Sequence, residues 1–299
     1  METVETRSWQ QFLALADVLH FGRAAEGLGM TQPPLTLAIQ KLERRIGTPL
    51  FDRTRRSVVL TPAGAALVEP VRQWLQDGAA LPALALAAAA GERGRVRVGF
   101  VSTIGFGPLP LWLDELRRVH PDLQVELHEA TGDVQARAFE RGELDAGFVI
   151  HAAGMPPPLR APLERLALGV EPLVFALPAA LARAKPATWL AEPLVIFPRT
   201  IEPSLFDAVL AWYHRQGVSP RIAQEAIQMQ TIVNLVSAGL GVALVPQSVT
   251  RLRRPGVAYR PLTRGTAAAC ETSLVWRPDA GPVALRFVDF VRATLARGV

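Results

Sequence analysis

One cysteine, Cys270, stands in the whole chain of 299 residues. An internal disulfide is thereby excluded, and no cysteine cluster can hold a metal. With no partner thiol in the chain, Cys270 reads as a small buried hydrophobe. The opening residues, METVETRSWQQ, carry acids and lack the basic stretch and apolar run of an export signal, so secretion is not expected. Long hydrophobic runs are lacking too. The longest, residues 79–90, is mostly alanine, contains Pro82 and falls short of the roughly 20 apolar residues that a bilayer-spanning helix needs. It reads as part of a helical linker, and no membrane partner is expected.

Catalytic signatures are equally scarce. There is no G-x-S-x-G elbow, no G-x-x-x-x-G-K-[ST] phosphate loop and no H-E-x-x-H pair, and Gly239-Leu240-Gly241 lacks the third glycine of a dinucleotide fingerprint. The five histidines, His20, His120, His128, His151 and His214, share no ligand-like spacing. His128 and Glu129 are neighbours on a strand, face opposite ways and make a poor acid/base pair. No catalytic residue, metal or cofactor is therefore expected.

A chain of this length, 49% hydrophobic, can bury more than one core, and roughly two domains are expected. The net charge of +5 suits an anionic partner, although arginines are spread along the whole chain and a basic balance alone means only a solvated surface.

The informative stretch is residues 20–64. A short Ala/Leu-rich helix ends at Gly27–Gly29. Thr31 then offers a hydroxyl to cap a second helix whose first turn holds Pro33 and Pro34, tolerated there because first-turn N–H groups have no helical partner. Leu35, Ile39, Leu42 and Ile46 form one apolar stripe, and Thr36, Gln40, Lys41 and Arg44 occupy the other face. A basic hairpin follows, with Arg53, Arg55 and Arg56 ahead of residues 57–60. Short helix, turn, amphipathic second helix and basic hairpin is the layout of a winged helix-turn-helix, whose second helix enters the major groove of double-stranded DNA. On periodicity alone, two packed core helices fit equally well.

Beyond the pattern, this stretch closely resembles the LysR-type transcriptional regulators. The matching residues are Ala24-Ala25, Leu28, Thr31-Gln32-Pro33, Leu35, Ile39, Leu42-Glu43, Gly47, Leu50-Phe51, Arg53, Arg56, Leu60-Thr61 and Ala63-Gly64, in order and without gaps. Residues 20–26 and 32–35 are also similar to the branch of that family that senses aromatic-catabolism compounds such as benzoate, muconate and chlorinated relatives. For DNA contact, Gln32, Thr36 and Gln40 can reach base edges; Thr31, Lys41, Arg53, Arg55 and Arg56 suit phosphates or the minor groove, and Pro33 lies beside them. Where many members carry a polar or basic pair after position 36, this chain has Leu37 and Ala38. Leu37 either touches a thymine methyl or is buried.

Ahead of this module, residues 7–19 read as a helix with Trp9, Phe12, Leu13, Ala16 and Leu19 on one side. Behind it, Thr61 caps and Pro62 opens a further helix. Leu67, Val71, Trp74 and Gly78 repeat along it like a coiled-coil seam. In the LysR-type family this helix pairs two subunits. A kink or break is expected at Pro70 and at Pro82, an interior proline costing about 3 kcal/mol.

Gly91 to Gly94 mark a boundary. Strands at residues 96–101, 123–129 and 144–150, alternating with helices at 108–119 and 133–141, imply parallel βαβ units. A second round has strands at 173–177, 194–198, 221–227 and 242–246 and helices at 204–216 and 231–238. A strand at 273–276 and a helix at 283–295 then return to the first round. Two α/β lobes joined by two crossings result, with a ligand cleft between them. The resemblance implies that this part is an effector-binding domain, a periplasmic-binding-protein-like pair of lobes.

The expected architecture is thus α/β with an all-α-dominated N-terminal winged helix-turn-helix. Residues 1–60 form the DNA-binding domain, 61–90 the linker helix, and 91–299 the effector-binding domain, with lobe I at 95–162 and 268–299 and lobe II at 163–267. For the cleft, Ser102 and Thr103 follow the first strand and suit an anion, and Thr131 follows the second. In residues 197–207, FPRTIEPSLFD, Arg199 can pair with a carboxylate and Phe197 or Phe206 can pack on an apolar body, with Pro198 and Thr200 alongside. Gln230 and Thr231 open a helix and either cap it or contact an anion. The bland alternatives are local capping for the hydroxyls and a surface position for Arg199.

The expected function is non-catalytic, cytoplasmic transcriptional regulation: a small effector, an organic anion of aromatic type, binds between the lobes and shifts how paired winged helices meet promoter DNA. The implied partners are double-stranded DNA, the effector, further copies of the chain as a dimer or dimer of dimers, and RNA polymerase at the promoter. The rivals are an enzyme, since α/β lobes host many chemistries, and an exported solute-binding protein.

Overall fold

The computed structural model describes residues 4–53, 57–157, 162–262 and 268–298. They cluster into two compact units, one running up to Leu86 and the other from Ala87 onward.

In the first unit, α1 (Thr6–Val18), α2 (Phe21–Gly27) and α3 (Gln32–Ile46) surround a small core. Phe12, Leu15, Leu35, Ile39 and Leu50 are fully buried in it. Leu19, expected on the buried side of the first helix, instead caps it with a left-handed φ of 51° and is exposed, because the chain must turn there toward α2. A short antiparallel wing follows, β1 (Phe51–Arg53) and β2 (Val58–Leu60), with Phe51 opposite Leu60. Thr61 ties the wing to the next helix: its hydroxyl donates to the Pro49 carbonyl at 2.8 Å and accepts from the Gly64 N–H at 3.0 Å. Gly64 passes so close to the wing that a Cβ there would lie 2.1 Å from the Leu50 carbonyl oxygen.

That next helix, α4 (Pro62–Ala89), contains both Pro70 and Pro82. The expected break occurs at neither. Each proline deletes one N–H donor, and the carbonyls so released, four residues earlier at Ala66 and Gly78, belong to exposed residues that water can serve.

The second unit begins with β3 (Gly94–Phe100), the one-turn α5 (Ser102–Gly105), α6 (Leu109–Val119), β4 (Leu123–Glu129), α7 (Gly132–Glu140) and β5 (Ala146–Ala152). β6 (Glu164–Pro178) is a 15-residue strand. It is followed by α8 (Pro186–Ala191), β7 (Leu194–Ile196), α9 (Pro203–Arg215), β8 (Ile222–Glu225), α10 (Met229–Ser237) and β9 (Ala243–Pro246). β10 (Val257–Pro261), β11 (Ala269–Trp276) and α11 (Pro282–Ala296) complete the chain.

Among these strands the order is β10-β6-β11-β5-β3-β4, with β9 also on β6. β3 runs parallel to β4 and β5, whereas β11 is antiparallel to both β5 and β6. β6 crosses from one hydrophobic core to the other. Its first half pairs with β11 beside the core of Trp112, Phe148, Leu274 and Phe287 (lobe I); its second half pairs with β10 and β9 beside that of Phe175, Trp212, Tyr213 and Val233 (lobe II). Cys270 is buried in the second core, and burial pushes its thiol well above the usual range, with the Glu171 carboxylate adding to the effect. At the crossing, the buried His151 sits 2.9 Å through Nε2 from the Ser273 hydroxyl, which accepts from Arg165 Nε at 3.0 Å. Arg165 in turn pairs with Glu271.

Candidate functional site

The exposed start of α3 is the first candidate. Thr31 occupies the N-cap position in extended conformation, but its hydroxyl makes no capping hydrogen bond. The reason is local: a capping oxygen accepts from the second or third helical residue, and here these are Pro33 and Pro34, which have no N–H. Gln32, Pro33, Gln40 and Lys41 are exposed. Thr36 is half-buried, its hydroxyl donating to the Gln32 carbonyl at 3.1 Å. Leu37 is not buried; its side chain is 49% exposed on the same face.

Arg53 sits differently from the other basic residues. Its guanidinium pairs with Glu43 at 2.6 Å and lies over the Phe21 ring, 5.2 Å from the centroid. The same Glu43 carboxylate accepts from the N–H groups of Leu50 and Phe51 at 3.0 and 3.1 Å. One side chain of α3 therefore anchors the wing, and Arg53 is part of the anchor. Arg55 and Arg56 lie outside the described residues.

The second candidate is the cleft between the lobes, a partly open groove lined from both sides. From lobe I come Ser102 and Thr103 at the start of α5, Glu129 at the end of β4, and Thr131 with Gly132 at the start of α7; Phe197, Ile201, Glu202, Ile227, Gln228 and Met229 face them from lobe II. The Thr131 hydroxyl donates to Asp133 Oδ1 at 2.5 Å, and the buried Thr103 hydroxyl has no hydrogen-bond partner.

The structure thus gathers Ser102, Thr103, Thr131 and Phe197 in one place. Gln230 lines an adjoining recess with Ser102 and Glu129. The other expected cleft residues lie elsewhere. Arg199 is turned outward and held bidentately by Asp207, at 2.8 Å for each bond. Phe206 is buried behind Phe197, with ring centroids 6.3 Å apart. Pro198, Thr200 and Thr231 are not among the residues lining the cleft, and α10 already begins at Met229, so Gln230 and Thr231 do not open it.

Glu202 was not among the expected residues. It directly precedes the proline that opens α9, a pattern that reads as an ordinary helix start. Its side chain is 5% exposed. Burial pushes its carboxyl up to about 7, although the Ser204 hydroxyl, donating to Oε1 at 2.8 Å, and the backbone N–H groups of Leu205 and Ser204 ease part of the cost. The Ser204 oxygen also accepts from the Ala152 N–H at 3.0 Å, linking Glu202 to the end of β5 at the crossing.

A helix-turn-helix with a wing, carried with a two-lobed α/β unit that opens an apolar cleft rimmed by hydroxyls, defines a ligand-responsive DNA-binding regulator. The chain belongs to the LysR family. Residues 6–65 match the bacterial regulatory helix-turn-helix proteins of the lysR family, and residues 89–296 match the LysR substrate binding domain. The chain is 44% identical over 282 residues to the HTH-type transcriptional regulator IlvR of Caulobacter vibrioides, covering 92% of this chain and 93% of that protein. The crystal structure of CbnR, a LysR family transcriptional regulator, is similar with a TM-score of 0.79 and 29% identity, covering 97% of this chain and 100% of that one. Full-length CbnR complexed with its target DNA gives 0.78 and 28%, covering 98% and 100%. No helix among the described residues is long and apolar enough to cross a membrane.

Proposed function

We propose that this LysR-family regulator reads promoter DNA with the start of α3, and that a small molecule seated in the interlobe cleft changes how strongly or in what register it does so. The observation that carries the DNA reading is the exposed first turn of α3, where Pro33 and Pro34 leave the Thr31 hydroxyl free of capping duty. Thr31 and Lys41 then serve phosphates, Gln32 and Gln40 reach base edges, and the exposed Leu37 meets a thymine methyl. Arg53 acts through the Glu43 anchor, holding the wing in place, and leaves phosphate contact at the wing to Arg55 and Arg56. That full-length CbnR, a similar protein, has been solved with its target DNA supports the DNA reading.

The chain acts in the cytoplasm, without catalysis, as a homo-oligomer joined through α4. Trp74 and Leu81, one heptad apart on α4, are 50% and 61% exposed and suit burial against a second copy. Gel-shift titration in salt, using the region upstream of the protein's own gene, tests the DNA reading. Gln32→Ala is expected to narrow the gap between specific and random DNA, and Lys41→Ala to weaken both alike. Unchanged binding in both variants would remove α3 from the interface.

A further inference from the structure

The cleft is unusual in its charge. Glu202 and Glu129 both line it, and among its described lining residues there is no lysine, arginine or histidine. The adjoining recess repeats this, adding Gln230 and again no cation. Arg199, the arginine closest in sequence to Glu202, is engaged outside by Asp207. A bare organic anion would therefore meet two acidic side chains, with hydroxyls and helix-start N–H groups but no cationic side chain to replace its hydration.

Glu202 is the stronger of the two signals. It is buried, its Oε1 is occupied by the Ser204 hydroxyl, and its Oε2 lies toward lobe I, 3.7 Å from where a Cβ would stand at Gly132. A carboxylate so placed, with only neutral donors around it, is stabilised most by an incoming cation. Around it are apolar walls from Ile150, Phe197, Ile201, Leu205, Ile227 and Met229. Across the cleft, the Thr103 hydroxyl is buried and unpartnered.

Resting on the effector reading above, we propose that the cleft takes a small apolar molecule bearing a protonated amine. The amine pairs with Glu202, the apolar body lies against Phe197 and Met229, and an acceptor group of the ligand takes the Thr103 hydroxyl. An apolar α-amino acid is the simplest compound meeting all three demands. Since Ser204 joins Glu202 to Ala152 at the end of β5, occupancy reaches the strand that leads into the crossing.

Calorimetric titration of the full-length chain with matched pairs tests this: L-leucine against 4-methylpentanoate, and L-phenylalanine against 3-phenylpropanoate, which differ only in the amine. The amino acids are expected to bind at least tenfold more tightly than their deaminated partners. Glu202→Gln should erase that preference while the chain keeps its fold by circular dichroism, and Ile227→Trp, which fills the mouth of the cleft, should abolish binding. Tighter binding of the acids, blocked by Ile227→Trp, overturns the amine and leaves the effector cleft standing. An equal loss for all four compounds in Glu202→Gln also overturns it, by reducing Glu202 to a helix cap. Binding unmoved by either substitution overturns both the inference and the placement of the effector in the cleft.

Discussion

Oε2 of Glu202, from lobe II, lies 3.7 Å from the point a Cβ would occupy at Gly132, from lobe I. A buried acid is thus held at the seam of the two lobes, and it has a measurable signature in the free protein. Its carboxyl is raised from 4.5 to about 7 in the fold. Stability from the protonated form is fully present below the unfolded value and is lost as the pH rises through about 7, a total of about 3 kcal/mol. Denaturant unfolding should show Glu202→Gln gaining on the wild type by about 2 kcal/mol between pH 5 and pH 8. A constant difference across that interval would mean that Glu202 titrates normally.

Gly64 is where α4 meets the wing. Alanine there places a methyl 2.1 Å from the Leu50 carbonyl oxygen, a backbone atom that cannot turn aside. Gly64→Ala should therefore destabilise the first unit by about 1–3 kcal/mol and displace the wing. The check is thermal unfolding together with DNA affinity, both of which should fall. A variant as stable as the wild type would show that α4 and the wing are not in this contact.

Glu43 and Arg53 separate anchoring from contact. Removing the carboxylate in Glu43→Ala leaves the Leu50 and Phe51 N–H groups without their partner, at about 1–3 kcal/mol. DNA affinity should drop in Glu43→Ala and in Arg53→Ala, yet the slope of log affinity against log salt should stay as in the wild type. Lys41→Ala should instead reduce that slope by about one. A slope reduced equally by Arg53→Ala would make Arg53 a phosphate ligand.

The helix-turn-helix was legible because its evidence is local: the Leu35, Ile39 and Leu42 stripe and the glycine turn lie within a few residues of one another. The same proximity misled at Thr31, whose capping role is cancelled by the two prolines that themselves marked the helix start. β5 lies two residues beyond the strand expected at 144–150, and the first half of β6 precedes the strand expected at 173–177. In β6 the apolar run is interrupted by Glu164, Arg165, Gly169 and Glu171, and its pairing partner β11 comes from the far end of the chain. Arg199 looked available because its partner, Asp207, is set by the turn into α9 and not by a pattern. Glu202 was illegible for the converse reason: its burial exists only where lobe II meets α7 of lobe I.

DNase footprinting of the upstream region with full-length protein, with and without L-leucine or L-phenylalanine, reads whether cleft occupancy alters DNA engagement. A sequence-specific footprint that weakens steeply with salt, and whose extent changes when the amino acid is added, is the expected result. No specific footprint at low salt, with or without these compounds, would contradict it.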